Sequence, residues 1–147
     1  MKALLLLTIA LLSGLIAQAH GEDKPGPHGG YIKMPANFHT ELVADKDGSF
    51  HIYLIDLQFQ SPTVKISELK VYVLSNIKRT NLKCEVMTDH FHCKAVKPIK
   101  SGVLTIKAKR DGSQASMEAK YNLPLKEFDI SGTPSVPVNT EDHSKHN

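Results

Sequence analysis

The chain reads as all-β, an immunoglobulin-like Greek-key sandwich of about seven to eight short strands. Three observations carry that reading. Turn signals recur about every ten residues over roughly a hundred residues, the runs between them alternate apolar and polar with period two, and no stretch beyond residue 19 has a helical period.

Residues 1–19 stand apart from the domain. Met1-Lys2 is a short positive start, Ala3–Ala17 an apolar run, and Ala17-Gln18-Ala19 an A-x-A cleavage site, together the pattern of a secretory signal peptide. The run is too short for a retained span, and no cysteine follows the cleavage site, so no membrane anchor is expected. The exported chain then begins at His20. Residues 20–30 (HGEDKPGPHGG) are rich in Gly, Pro and charge and read as a flexible arm.

The β-domain is expected over 31–126. Tyr31–Met34 is a short edge strand stopped by Pro35. Asn37–Ala44 and Phe50–Gln58 flank Asp45-Lys46-Asp47-Gly48, a hairpin signal with Gly48 suited to the left-handed position of a bulged turn. A three-residue loop sets Leu42 opposite Ile52 and Thr40 opposite Leu54. Phe38, Thr40, Leu42, Ala44, Phe50, Ile52 and Leu54 then share the buried face, and His39, Glu41 and His51 the other. Ser61-Pro62 breaks the pattern. In Leu69–Leu74, Leu69, Val71 and Val73 point inward, and Asn76–Asn81 follows as a polar connection. Leu82–Met87 and Phe91–Val96 form a second hairpin about Thr88-Asp89, and Pro98–Gly102 turns the chain. Val103–Lys109 and Gln114–Tyr121 form a third about Asp111-Gly112. Leu123-Pro124-Leu125 closes the domain, and 127–147 is a polar tail.

Cys84 and Cys93 fall opposite each other in the second hairpin. In an exported chain with two cysteines this predicts a cross-strand disulfide. The competing reading is a Cu(I) site from Cys84, Met87, His90, His92 and Cys93, which needs thiols kept reduced after export. Charge excludes one large class of function. Without residues 1–19 the net charge falls from +3 to +2, through the loss of Lys2, which is too small and too evenly spread for nucleic acid.

Eight histidines are the unusual feature of the composition. A mature N-terminal His20 offers its amine and its ring as one chelate, a pair that favours Cu(II). Gly29 and Gly30 let the chain bend so that His28 swings toward the first long strand, where His39 and Glu41 point the same way. The expected metal ligands are therefore His20, His28 and His39, with Glu41 as a fourth ligand or as an orienting group. His51 is an alternate on the same face, and His143 and His146 in the tail are incidental. The spacing matches no zinc-finger or H-E-x-x-H pattern.

The stretch from His28-Gly29-Gly30 through His39-Thr40-Glu41 and Tyr53-Leu54-Ile55-Asp56, ending in the Gly102–Gly112 hairpin, resembles small periplasmic proteins and domains associated with heavy-metal efflux systems. The resemblance covers Gly26–Leu125. It implies a periplasmic role in handling copper or zinc, with components of an efflux system as partners. This chain stands without the hairpin and membrane-fusion segments of an efflux adaptor. A weaker similarity, resting on fold class and His20 alone, is to sandwich-fold copper carriers.

The reading for function is a non-enzymatic periplasmic protein that captures copper, with zinc as the alternative ion, and hands it over. The alternative is a β-sandwich interaction module of a cell-envelope complex with no metal. No nucleophile elbow, paired-carboxylate motif, redox C-x-x-C or phosphate loop points to an enzyme. A copper oxygenase would need a substrate face rich in aromatics, and the nine Phe and Tyr residues are mostly required for the core.

Overall fold

Two antiparallel sheets lie face to face, one of five strands and one of four. The computed structural model describes residues 24–128, so the expected export signal, His20, and the tail histidines His143 and His146 lie outside it. The strands are β1 (Tyr31–Lys33), β2 (His39–Ala44), β3 (Phe50–Ile55), β4 (Glu68–Ser75), β5 (Lys78–Asn81), β6 (Lys83–Val86), β7 (Phe91–Lys94), β8 (Gly102–Lys109) and β9 (Met117–Leu123). The larger sheet has the order β1-β2-β3-β7-β6 and the smaller β5-β4-β8-β9. The chain therefore changes sheet three times, after β3, β5 and β7, and no helix occurs among the described residues.

The first hairpin has the expected register. Leu42 pairs Ile52 and Thr40 pairs Leu54. Asp45 N–H donates to Ser49 O and Gly48 N–H to Asp45 O, which closes a three-residue loop with Gly48 at φ 85°. The second hairpin also matches: Cys84 pairs Cys93, Val86 pairs Phe91, and Met87 N–H donates to His90 O. Cys84 and Cys93 form the disulfide.

Leu42, Phe50, Ile52, Leu54, Phe91 and Cys93 of the larger sheet, with Phe38 just before β2, meet Val71, Val73, Leu104, Ile106, Ala119 and Tyr121 of the smaller one in a single core. Tyr121 locks the two sheets: its hydroxyl donates to Thr40 O at 2.8 Å and lies 2.7 Å from Thr40 Oγ1. Ala44 alone of the expected inward set is exposed, because it sits at the rim beside the loop.

Two elements differ from expectation. Lys78–Asn81, read as a polar connection, is edge strand β5. Asn76 takes φ 53°, which turns the chain tightly enough for Ser75 to pair Lys78. The last strand begins at Met117 rather than Gln114 and runs to Leu123, and the turn before it is tied to the loop between β3 and β4. Gly112 N–H donates to Ile66 O, and the Arg110 guanidinium donates to Leu54 O and Ser61 O.

Candidate metal centre

Two rungs on the outer face of the larger sheet carry the site. Strand register sets Val43, His51, His92 and Glu85 side by side across β2, β3, β7 and β6. Phe50, Ile52, Phe91 and Cys93, their neighbours along the chain, are all buried in the core, so alternation sends His51 and His92 outward. On the next rung Glu41 pairs Tyr53, and the Tyr53 ring lies 4.9 Å from that of His90.

Asp45 joins from the hairpin loop. Its Oδ2 accepts from His51 Nε2 at 2.6 Å and from the Ser49 hydroxyl at 3.1 Å. The same buried hydroxyl reaches Asp47 at 2.7 Å, and Ser49 N–H donates to Asp47 as well. These bonds from Ser49, the hydroxyl's first, hold the Asp47 carboxyl below its ordinary range, and nearby His92 acts in the same direction. One donor atom each from Asp45, His51 and His92 lies within 4.8 Å of the other two. Among the described residues this is the one group of three such side chains at that spacing. Two imidazoles and a carboxylate, half-buried and exposed in that order, suit a divalent transition metal with open positions.

His51 is bonded at both ring nitrogens. Its Nδ1 lies 2.8 Å from His90 Nε2, and His90 Nδ1 lies 2.7 Å from Asp89 Oδ1. The chain Asp45–His51–His90–Asp89 thus has three contacts, each needing a hydrogen, and two neutral imidazoles carry only two. A metal ion held by Asp45, His51 and His92 would relieve that shortage if His51 ligated through Nε2, since the contact with Asp45 would then need no hydrogen.

Tyr53 stacks on His28, at 3.7 Å and 4°, and meets His90 at 4.9 Å and 34°. Burial first, then the charges of Asp89, Glu41 and Asp45, push its phenol up from the ordinary value. His28, Tyr53, His90, His51 and His92 form a continuous run of rings across the face.

Of the expected ligands, His28, His39 and Glu41 are not in that group of three donors. His20 lies outside the described range. The arm does fold back, but onto Glu41. Glu41 is fully buried, and its Oε1 accepts from His28 N–H at 2.8 Å and Gly30 N–H at 2.9 Å, while Oε2 meets His28 Nδ1 at 2.7 Å. Both carboxylate oxygens are therefore committed to the turn. A Cβ on Gly30 would fall 2.6 Å from Leu42 O, so the second glycine is needed for that approach. His39 is buried at the far end of β2, with Nδ1 2.9 Å from Asp56 O and its ring stacked on Phe59 at 4.1 Å. The soft-ligand alternative loses its thiolates to the disulfide, since neither cysteine is free.

The residues that do converge were partly visible in the sequence. His51 was legible as an outward residue, and His90 and His92 entered the sequence reading only through the soft-ligand alternative; they sit one position either side of Phe91, which the structure buries. That β3 and β7 are neighbours was not legible, because no turn joins them. Comparison with known proteins gives no matching family model, no matching curated protein and no matching solved structure.

Proposed function

We propose that this chain is an exported, non-enzymatic metal-binding protein that holds one divalent transition-metal ion, copper(II) first, on the outer face of β3 and β7. His51 and His92 supply imidazole ligands and Asp45 a carboxylate. The convergence of those three donors within 4.8 Å is the observation that carries the reading. Copper heads the affinity order for such N/O sets, and zinc is the competing ion.

The placement suits capture and release. The ligands stand on an open sheet face rather than in a closed cage, so water or a donor group from another protein can complete the coordination and take the ion away. A disulfide fits an oxidising compartment, and the periplasm is the compartment we assign. Among the described residues no helix is long and apolar enough to cross a membrane. The pairing of His28-Gly29-Gly30 with Glu41 supports a structural role for the stretch that resembles heavy-metal efflux proteins, with the ion held beside it.

Titration of the chelator-stripped protein with Cu(II), against a competing chelator, tests the proposal. The expected result is about one tight equivalent, lost on the double substitution of His51 and His92 by alanine. Equal affinity in that double variant would remove the reading.

A further inference from the structure

The ring beside the three donors belongs to His90, and it is not one of them. Its Nε2 is 2.8 Å from His51 Nδ1, and its Nδ1 is 2.7 Å from Asp89 Oδ1. His51 meets Asp45 through its other nitrogen, at 2.6 Å.

We infer that His90, held by Asp89, is a positioning residue that commits His51 to ligate through Nε2; the inference rests on the metal site proposed above. A ligating nitrogen must be free of hydrogen, so a neutral His51 bound through Nε2 carries its hydrogen on Nδ1. That hydrogen needs an acceptor, and His90 Nε2 is in place. His90 then carries its own hydrogen on Nδ1 and donates it to Asp89. Two neutral rings supply two hydrogens to two contacts, and no nitrogen of the pair is left unpaired.

The other arrangement, one ion bound by both His51 and His90, does not fit. His90 is not among the three side chains whose donor atoms converge. His51 meets Asp45, its partner in that group, through Nε2 and meets His90 through Nδ1, and one imidazole does not turn both nitrogens to a single ion. Nor is His90 free to swing away. Its side chain is 16 % exposed, Tyr53 packs against it, and Tyr53 is itself backed by His28.

Three single variants of the full exported chain separate this role from packing. His90→Phe keeps a ring against Tyr53 and removes the acceptor. His90→Gln removes the ring and keeps an amide oxygen near the position of Nε2. Asp89→Asn weakens the far end of the chain alone. Each is titrated with Cu(II) against a competing chelator, and electron paramagnetic resonance counts the nitrogen ligands.

His90→Phe is expected to bind roughly ten- to a hundredfold more weakly with the same nitrogen count, Asp89→Asn to bind more weakly to a smaller degree, and His90→Gln to keep most of the affinity. Loss of one nitrogen in His90→Phe would make His90 a ligand and overturn the inference. So would native affinity in His90→Phe, or a loss confined to His90→Gln. A wild-type chain that binds no Cu(II) removes the site itself, an outcome distinct from a wild type that binds and a His90→Phe variant that binds equally well.

Discussion

The imidazoles of His51 and His92 lie 4.9 Å apart and 18° from parallel on neighbouring strands that no turn connects. Their positions follow from two hairpins with fixed register and one inter-strand pairing. The site is therefore built on strands, with only Asp45 supplied by a loop, and that loop is pinned by Ser49.

The division of labour among the histidines is testable one residue at a time. His51→Ala and His92→Ala should each weaken Cu(II) binding by about tenfold or more, roughly 1.4 kcal/mol. His28→Ala and His39→Ala should leave affinity near that of the native chain, because the His28 ring is bonded to Glu41 and the His39 ring to Asp56 O at the end of β2. Competition titration of the four variants checks this, and a larger loss in His28→Ala than in His92→Ala would return the site to the arm.

Glu41 is expected to act on stability. Replacing it by glutamine removes the charge that accepts two backbone N–H groups and the His28 ring. Hydrogen bonds to a buried charge are worth more than neutral ones, so the loss should be about 2–4 kcal/mol. Urea denaturation should show a lower midpoint at unchanged slope, with one metal equivalent still bound.

The disulfide closes a short loop, with a sequence separation of 9. Chain entropy gives about 2–3 kcal/mol for its removal. Replacing both Cys84 and Cys93 by alanine should lower Tm by roughly 10–20 °C. Calorimetry checks this, and the same variant should bind metal more weakly if β7 loses its hold on β6.

Alkaline pH should unfold the protein through Tyr121. Burial, the largest cause, raises its phenol well above the ordinary value of 10.0, while the bond from Thr40 opposes the rise. The unfolded chain loses that proton first, so stability is fully present below about pH 10 and falls as pH rises toward the folded value. Tyr121→Phe should reduce the alkaline slope of stability while costing about 1–3 kcal/mol at neutral pH, because Thr40 loses its partner across the sheets. Denaturant melts at several pH values between 7 and 11 measure both effects.

Both β2–β3 and β6–β7 registers were legible because the turn chemistry at Gly48 and at Thr88-Asp89 set them and the apolar period agreed. Strand β5 was hidden, since an exposed edge of Lys78, Arg79, Thr80 and Asn81 has no apolar period to betray it. At the site, parity told that His39 and His51 face outward but not that β3 adjoins β7, which brings His92 beside His51. His39 and Glu41 share the outer face as expected. What parity could not show is that the arm covers Glu41, and that the segment around Asp56 and Phe59 covers His39. In this fold the H-G-G turn and the Glu41 of H-x-E form one packed unit, a buried carboxylate that gathers the N–H groups of a tight turn.

The most direct test of the central claim is anomalous diffraction from crystals of the exported chain soaked in Cu(II). One principal peak is expected within bonding distance of His51 Nε2, a His92 ring nitrogen and an Asp45 carboxylate oxygen. A principal peak at His28 or His39, or no peak on the β3–β7 face, would contradict it.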